Sequence, residues 1–133
     1  MFVRMQLDLP AEASYVRLCR HLAETVLSGM GVSPQDVNDV EVIMGEVCAN
    51  AVRHAYNNPS ETYRVELDVC PETVRVTVRD HGKGIDLNER EKDPREMREG
   101  GRGMFLINTL ADRVDMSVLG GTTVTATLGL HYK

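Results

Sequence analysis

Residues 33–56 read SPQDVNDVEVIMGEVCANAVRHAY, and their spacing demands one long amphipathic helix. Ser33 stands as N-cap, Pro34 takes the first helical position, and Asp36 follows three residues after the cap. That order marks a helix start, because it satisfies or removes backbone donors left over in the first turn. Val37, Val40, Met44, Val47, Ala51 and Ala55 then recur every three or four residues and predict the buried side. A second stripe runs beside it: Glu46, Asn50, Arg53 and His54 at i, i+4, i+7 and i+8, sharing one face. Taken alone, a polar stripe on a helix is usually a solvated face, so a functional reading needs partners elsewhere in the chain.

Outward from this helix, five segments alternate with period two: Val3 to Leu9, Tyr63 to Val69, Val74 to Val78, Val114 to Val118, and Val124 to Leu128. Alternation of this kind predicts strands with one wet face, which favours an antiparallel or mixed sheet over a parallel one. An earlier helix is predicted over residues 11–29, with Tyr15, Leu18, Leu22, Thr25 and Val26 on one stripe, ending at the Gly29-Met30-Gly31 break. A shorter one is predicted over 103–111. The strands come in runs, so the expected class is α+β: a two-layer sandwich, its mixed, mostly antiparallel sheet of about five strands carrying three helices on one face. The 133 residues read as a single domain, 1–133.

Between strand and helix, residues 88–102 fit neither period. Ten of the fifteen are charged, five of each sign, so little of the segment can be buried, and the reading is a charged lid, a binding loop or a disordered insertion. The net charge of −5 argues against a general nucleic-acid binder, which would be basic. Cys19, Cys48 and Cys70 are odd in number and form no CxxC pair, so they read as structural thiols rather than a zinc site or disulfide framework. No window approaches the roughly 18 apolar residues of a membrane span, and the N-terminus does not read as a signal peptide. The expectation is a cytoplasmic protein with no membrane contact.

Several short motifs give the polar stripe company. The strand ending at Val78 runs into Asp80-His81-Gly82-Lys83-Gly84-Ile85, a turn whose glycines let a flat ligand approach the backbone. The Asp80 carboxylate can accept from an exocyclic amine, which is one way to read adenine. Gly100-Gly101-Arg102-Gly103 opens the last helix, where free backbone N–H groups and the helix dipole suit phosphate. Gly121-Thr122-Thr123-Val124 begins the last strand and places a hydroxyl for a ring nitrogen or bridging water. On the stripe itself, an Asn oxygen can ligate Mg²⁺ and a Glu can take the proton of an attacking hydroxyl, with Arg53 and His54 expected near the phosphates. Neither a P-loop nor the signatures of ordinary protein kinases are present.

In this order the motifs resemble the ATP site of the gyrase, heat-shock-chaperone, histidine-kinase and MutL superfamily, with a Bergerat-type fold. Within it the compact chain resembles the anti-sigma-factor serine/threonine kinases. The likeness is closest in GEVCANAVRHAY (45–56), VRDHGKGID (78–86), GGRGMFLI (100–107) and GTTV (121–124). The resemblance implies that Glu46 is the general base, Asn50 the Mg²⁺ ligand, and Asp80 the adenine-reading carboxylate, helped by Thr122. It implies that Gly82 and Gly84 shape the nucleotide pocket with Ile85, and that Gly101 and Gly103 close on the phosphates beside Met104. It also implies an ATP-dependent protein kinase that holds a sigma factor, phosphorylates an anti-anti-sigma protein, dimerises through the sheet side, and meets both partners at Arg17. Arg102 departs from the apolar or small residue common there and fits a γ-phosphate contact or a surface position equally. Three rival readings stay open: a non-catalytic nucleotide-dependent switch, a histidine-kinase catalytic domain acting in trans, and a structural domain whose motifs are turns.

Overall fold

The computed structural model describes residues 2–55, 61–81, 103–118 and 120–133. Five strands, β1 (Val3–Pro10), β2 (Thr62–Val69), β3 (Thr73–Asp80), β4 (Arg113–Ser117) and β5 (Thr122–Gly129), form one sheet in the order β1-β2-β3-β5-β4. Every pairing is antiparallel, the limit of the mostly antiparallel expectation. Helices α1 (Ser14–Gly29) and α2 (Pro34–His54), with α3 over residues 103–110, make the second layer.

Why the layers close follows from the two periods. Tyr63, Val65, Leu67 and Val69 of β2 and Val74, Val76 and Val78 of β3 are buried, and Val124, Ala126 and Leu128 continue that face on β5. Onto it α2 lays Val37, Val40, Met44, Val47 and Ala51, the side that its spacing predicts, with Ile43 and Cys48 added. Ser33 Oγ accepts from the Asp36 N–H at 3.3 Å, so the cap forms. The Asp36 carboxylate turns instead to the C-terminal residues, accepting from His131 N at 2.6 Å, while Ser33 N donates to His131 O at 2.9 Å. The start of α2 is thereby tied to the chain's end.

Helix α1 begins at Ser14 rather than residue 11, and its buried line is Cys19, Ala23 and Leu27. This lies one position round from the predicted stripe, and Leu18 and Thr25 are exposed. Small side chains explain the rotation: they let α1 come close to α2, where a side-chain Cβ at Gly45 would sit only 3.1 Å from Arg20 Cδ. In that seam Cys48 Sγ lies 3.8 Å from Met44 Sδ, with the Cys19 thiol and the Tyr63 hydroxyl acting on it. The interaction with Cys19, reinforced by burial, pushes the Cys48 thiol well up, and burial pushes the Tyr63 phenol up. Cys19 and Cys48 are buried and Cys70 half-buried, all three as free thiols. Among the described residues, no helix is long and apolar enough to cross a membrane.

Candidate nucleotide site

The last three turns of α2 carry the functional side chains at one-turn intervals. Glu46, Asn50 and His54 follow each other at i, i+4 and i+8, which spaces the outer two by about 12 Å along the axis at 1.5 Å per residue. The first two meet the start of α3, and the last meets the end of β3.

At the Glu46 end the neighbour is α3. A Cβ added to Gly103 would stand 2.7 Å from Glu46 Oε2 and 3.7 Å from Asn50 Oδ1. A bare glycine therefore lets the carboxylate and the carboxamide lie against the backbone at the described start of α3. Asn50 is buried, its Nδ2 faces Met104 Sδ at 4.0 Å, and its Oδ1 accepts from the Arg53 guanidinium. Glu46 is half-buried and Arg53 exposed. This oxygen already draws a cationic donor, and a neutral carboxamide oxygen beside a carboxylate suits Mg²⁺, so the residues fit that ion.

At the other end the neighbours are β3 and β5. Asp80 closes β3 opposite Thr122 in the ladder. Its carboxylate is buried, with Oδ1 accepting from Thr122 N at 3.2 Å and Oδ2 facing His54 Nδ1 at 2.8 Å. Thr122 Oγ1 is buried without a hydrogen-bond partner among the described residues. A buried hydroxyl in that state costs stability unless a ligand or water completes it. Gly121 has φ +123°, and a Cβ there would fall 2.1 Å from Asp80 O. Only glycine lets the β5 entry pass so close behind the aspartate.

The structure thus brings Glu46, Asn50, Arg53, Gly103 and Met104 together at one end and His54, Asp80 and Thr122 at the other. His54, expected near the phosphates, sits against Asp80. Gly82, Gly84, Ile85, Gly101 and Arg102, and the charged segment 88–102, lie outside the described residues. Arg17 is exposed on α1. Sequence reasoning did not find the His54–Asp80 pair or the close approach of Gly121. The only signal for the first was that His54 ends the stripe pointing the same way as Asn50.

Comparison with known proteins shows the family of the chain. The Histidine kinase-like ATPase domain matches residues 9–128. The serine-protein kinase RsbW of Bacillus velezensis is 32% identical, aligned over 96% of this chain and 86% of its own. RsbW of Staphylococcus epidermidis is 32% identical over 90% of this chain and 82% of its own. Among solved structures, the SiaB–SiaC complex from Pseudomonas aeruginosa superposes with a TM-score of 0.71 at 13% identity, covering 93% of this chain and 88% of that one. The RsbU and RsbW domains of a Mycobacterium tuberculosis protein superpose with a TM-score of 0.71 at 20% identity, over 98% of this chain and 32% of that one. At those identities the structures share the fold.

Proposed function

This chain belongs to the Histidine kinase-like ATPase family, in the branch of the serine-protein kinases RsbW, and from that premise we propose that it transfers phosphate from ATP to a protein serine or threonine. The observation that carries the reading is the convergence of Glu46 and Asn50 on Gly103, with Asp80 and Thr122 gathered at the far end of the same helix face.

Phosphoryl transfer asks the protein mainly for positioning and charge stabilisation. The base sits at the Asp80 end, where a buried acceptor and an uncompleted hydroxyl meet its polar edge. The triphosphate runs along α2 toward Glu46. Glu46 takes the proton as the substrate hydroxyl oxygen bonds to the γ-phosphorus, and the bond from that phosphorus to the β-bridging oxygen breaks to leave ADP. Asn50 would hold Mg²⁺, whose charge would offset that of the phosphates. By the resemblance, Gly82, Gly84 and Ile85 would serve the base and Gly101, Gly103 and Met104 the phosphates, with Arg102 at the γ-phosphate or on the surface.

In cellular terms the chain is an anti-sigma factor. It holds a sigma factor, phosphorylates an anti-anti-sigma protein, works as a cytoplasmic homodimer of single-domain chains, and meets both partners at Arg17. The likeness to RsbW proteins supports this partner-switching role. Incubation with radiolabelled ATP and a candidate serine-bearing partner tests the kinase step: label should move to the partner in the wild type and stay in ATP with Glu46→Ala. Tight sequestration of a partner with no label moved would replace the kinase with a nucleotide-dependent switch.

A further inference from the structure

The sheet ends on one side at β4, five residues long, and on the other at β1, eight residues long. Ala11 N donates to Glu61 O at 3.0 Å, in line with the β1–β2 ladder. In an antiparallel ladder, residues that bond one neighbour alternate with residues that face the other side. Val3, Met5, Leu7 and Leu9 therefore turn their backbone groups to β2. Arg4, Gln6, Asp8 and Pro10 turn theirs to an edge that no strand covers among the described residues, where a proline without an N–H is tolerated. The inner face beside this edge is also incompletely covered. Val3, Met5 and Leu7 are half-buried, while Val69, Leu67 and Val65 opposite them on β2 are buried. An apolar hollow that Met5 and Leu7 share with Cys19 and Leu22 of α1 lies along the same edge. An open strand edge beside uncovered apolar side chains is a template for another strand.

We infer that β1 is a self-complementary docking edge, pairing antiparallel with β1 of a second copy about a two-fold axis at Gln6, so that one sheet runs through both chains. It gives the interface of the homodimer read above and rests on that part of the reading alone. The axis sets Gln6 opposite Gln6, Arg4 opposite Asp8 of the second copy, and Met5 opposite Leu7 of the second copy. Within the chain, Arg4 already meets Asp68 at 2.6 Å and Asp8 meets Arg64 at 2.9 Å, each pair directly opposite in the ladder. The outer row across the seam then runs Asp68, Arg4, Asp8 of the second copy, Arg64 of the second copy, alternating in sign throughout. Glu66 stands opposite Gln6 in the ladder, so two neutral carboxamides separate it from its symmetry mate. Slipping the strands by four residues sets Arg4 against Arg4 or Asp8 against Asp8, and like charges directly opposite are destabilising. Charge thus selects the register, while the reciprocal backbone bonds and the covered apolar face supply the strength. An isologous contact of this kind closes at two chains.

Sedimentation velocity of the purified full chain across a dilution series tests this with Gln6→Pro, Arg4→Asp and Asp8→Arg. The Gln6 N–H points away from β2, so proline there spares the β1–β2 ladder and removes the reciprocal bonds at the axis. The dimer dissociation constant should rise roughly a hundredfold in Gln6→Pro, at about tenfold for each bond lost. Removing one exposed charge changes little, so the charged rows are tested by reversal. Arg4→Asp and Asp8→Arg should each raise the dissociation constant on the order of tenfold, with like charges opposed at both ends of the seam. Mixed in equal amounts, the two variants should recover the wild-type constant, because their heterodimer restores opposite charges in both rows. That recovery does not depend on the proline variant, and melting curves show which samples are folded. A wild-type chain that stays monomeric throughout the series overturns the inference and the homodimer with it, while the kinase reading is tested separately by label transfer. A wild-type dimer that folded Gln6→Pro leaves intact, or a mixture no tighter than either variant alone, overturns the β1 edge and leaves the homodimer standing.

Discussion

The helix stripe Glu46–Asn50–His54 and the outer face of the sheet are both rows of polar side chains, and they differ in where their charges end. On the outer face Arg4 meets Asp68 at 2.6 Å, Arg64 meets Asp8 at 2.9 Å, and Arg113 meets Asp115 at 2.9 Å. Each pair forms within the sheet, the guanidinium lies in water, and the carboxylate's hydrogen bond raises its arginine further above an already high value. Such pairs are complete in themselves and contribute little. On α2 the polar groups are buried or half-buried and gather groups from three other segments, and the Thr122 hydroxyl beside them awaits a partner. Polarity alone does not mark a site. Buried polarity converging from distant segments does when one of its members, here the Thr122 hydroxyl, has no hydrogen-bond partner among the described residues.

That contrast can be broken by mutation, and the largest effect belongs to Glu46. Glu46→Ala should lower phosphate transfer by roughly 10²–10⁴-fold, the usual worth of a positioned general base, with ATP binding retained in an equilibrium assay. Transfer at the wild-type rate would return Glu46 to the solvated face. Asn50→Ala should weaken Mg²⁺-dependent ATP binding by roughly ten- to a hundredfold, as expected for losing a contact to a charged group; titrations with and without the metal ion separate this from a general loss of affinity. Gly121→Ala should lower stability by at least about 1–3 kcal/mol, since it places a Cβ on the Asp80 carbonyl at a backbone angle costly for alanine, and a thermal melt reads it directly. The smallest effect is on the outer face. Arg4→Ala and Arg113→Ala should leave melting temperature, nucleotide binding and transfer unchanged. If either changed the sedimentation coefficient of the protein, that face would be an interface rather than a solvated surface, and the contrast would need redrawing.

Local pattern carried the reading far in some places. The Ser33-Pro34 start, the apolar side of α2 and the alternation of β2, β3 and β5 were legible because each depends on neighbours within about four residues. The stripe from Glu46 to His54 was legible as one face for the same reason. The α1 stripe was not, since its rotation depends on how closely Cys19, Ala23 and Gly45 allow two helices to approach. Spacing cannot report the size of the gap on the other side.

What local pattern decided, then, is which residues are helical or extended and which share a face. Sheet order and layer packing decided the rest. His54 reaches Asp80 across 26 residues of chain, Thr122 reaches it across 42, and the Cys19 thiol acts on the Cys48 thiol across two helices. Contacts of that range exist only after β5 inserts between β3 and β4 and α2 settles over the sheet. Periodicity speaks for the few residues of one turn or one pleat, while the pairing of distant side chains is chosen by the free energy of the whole core.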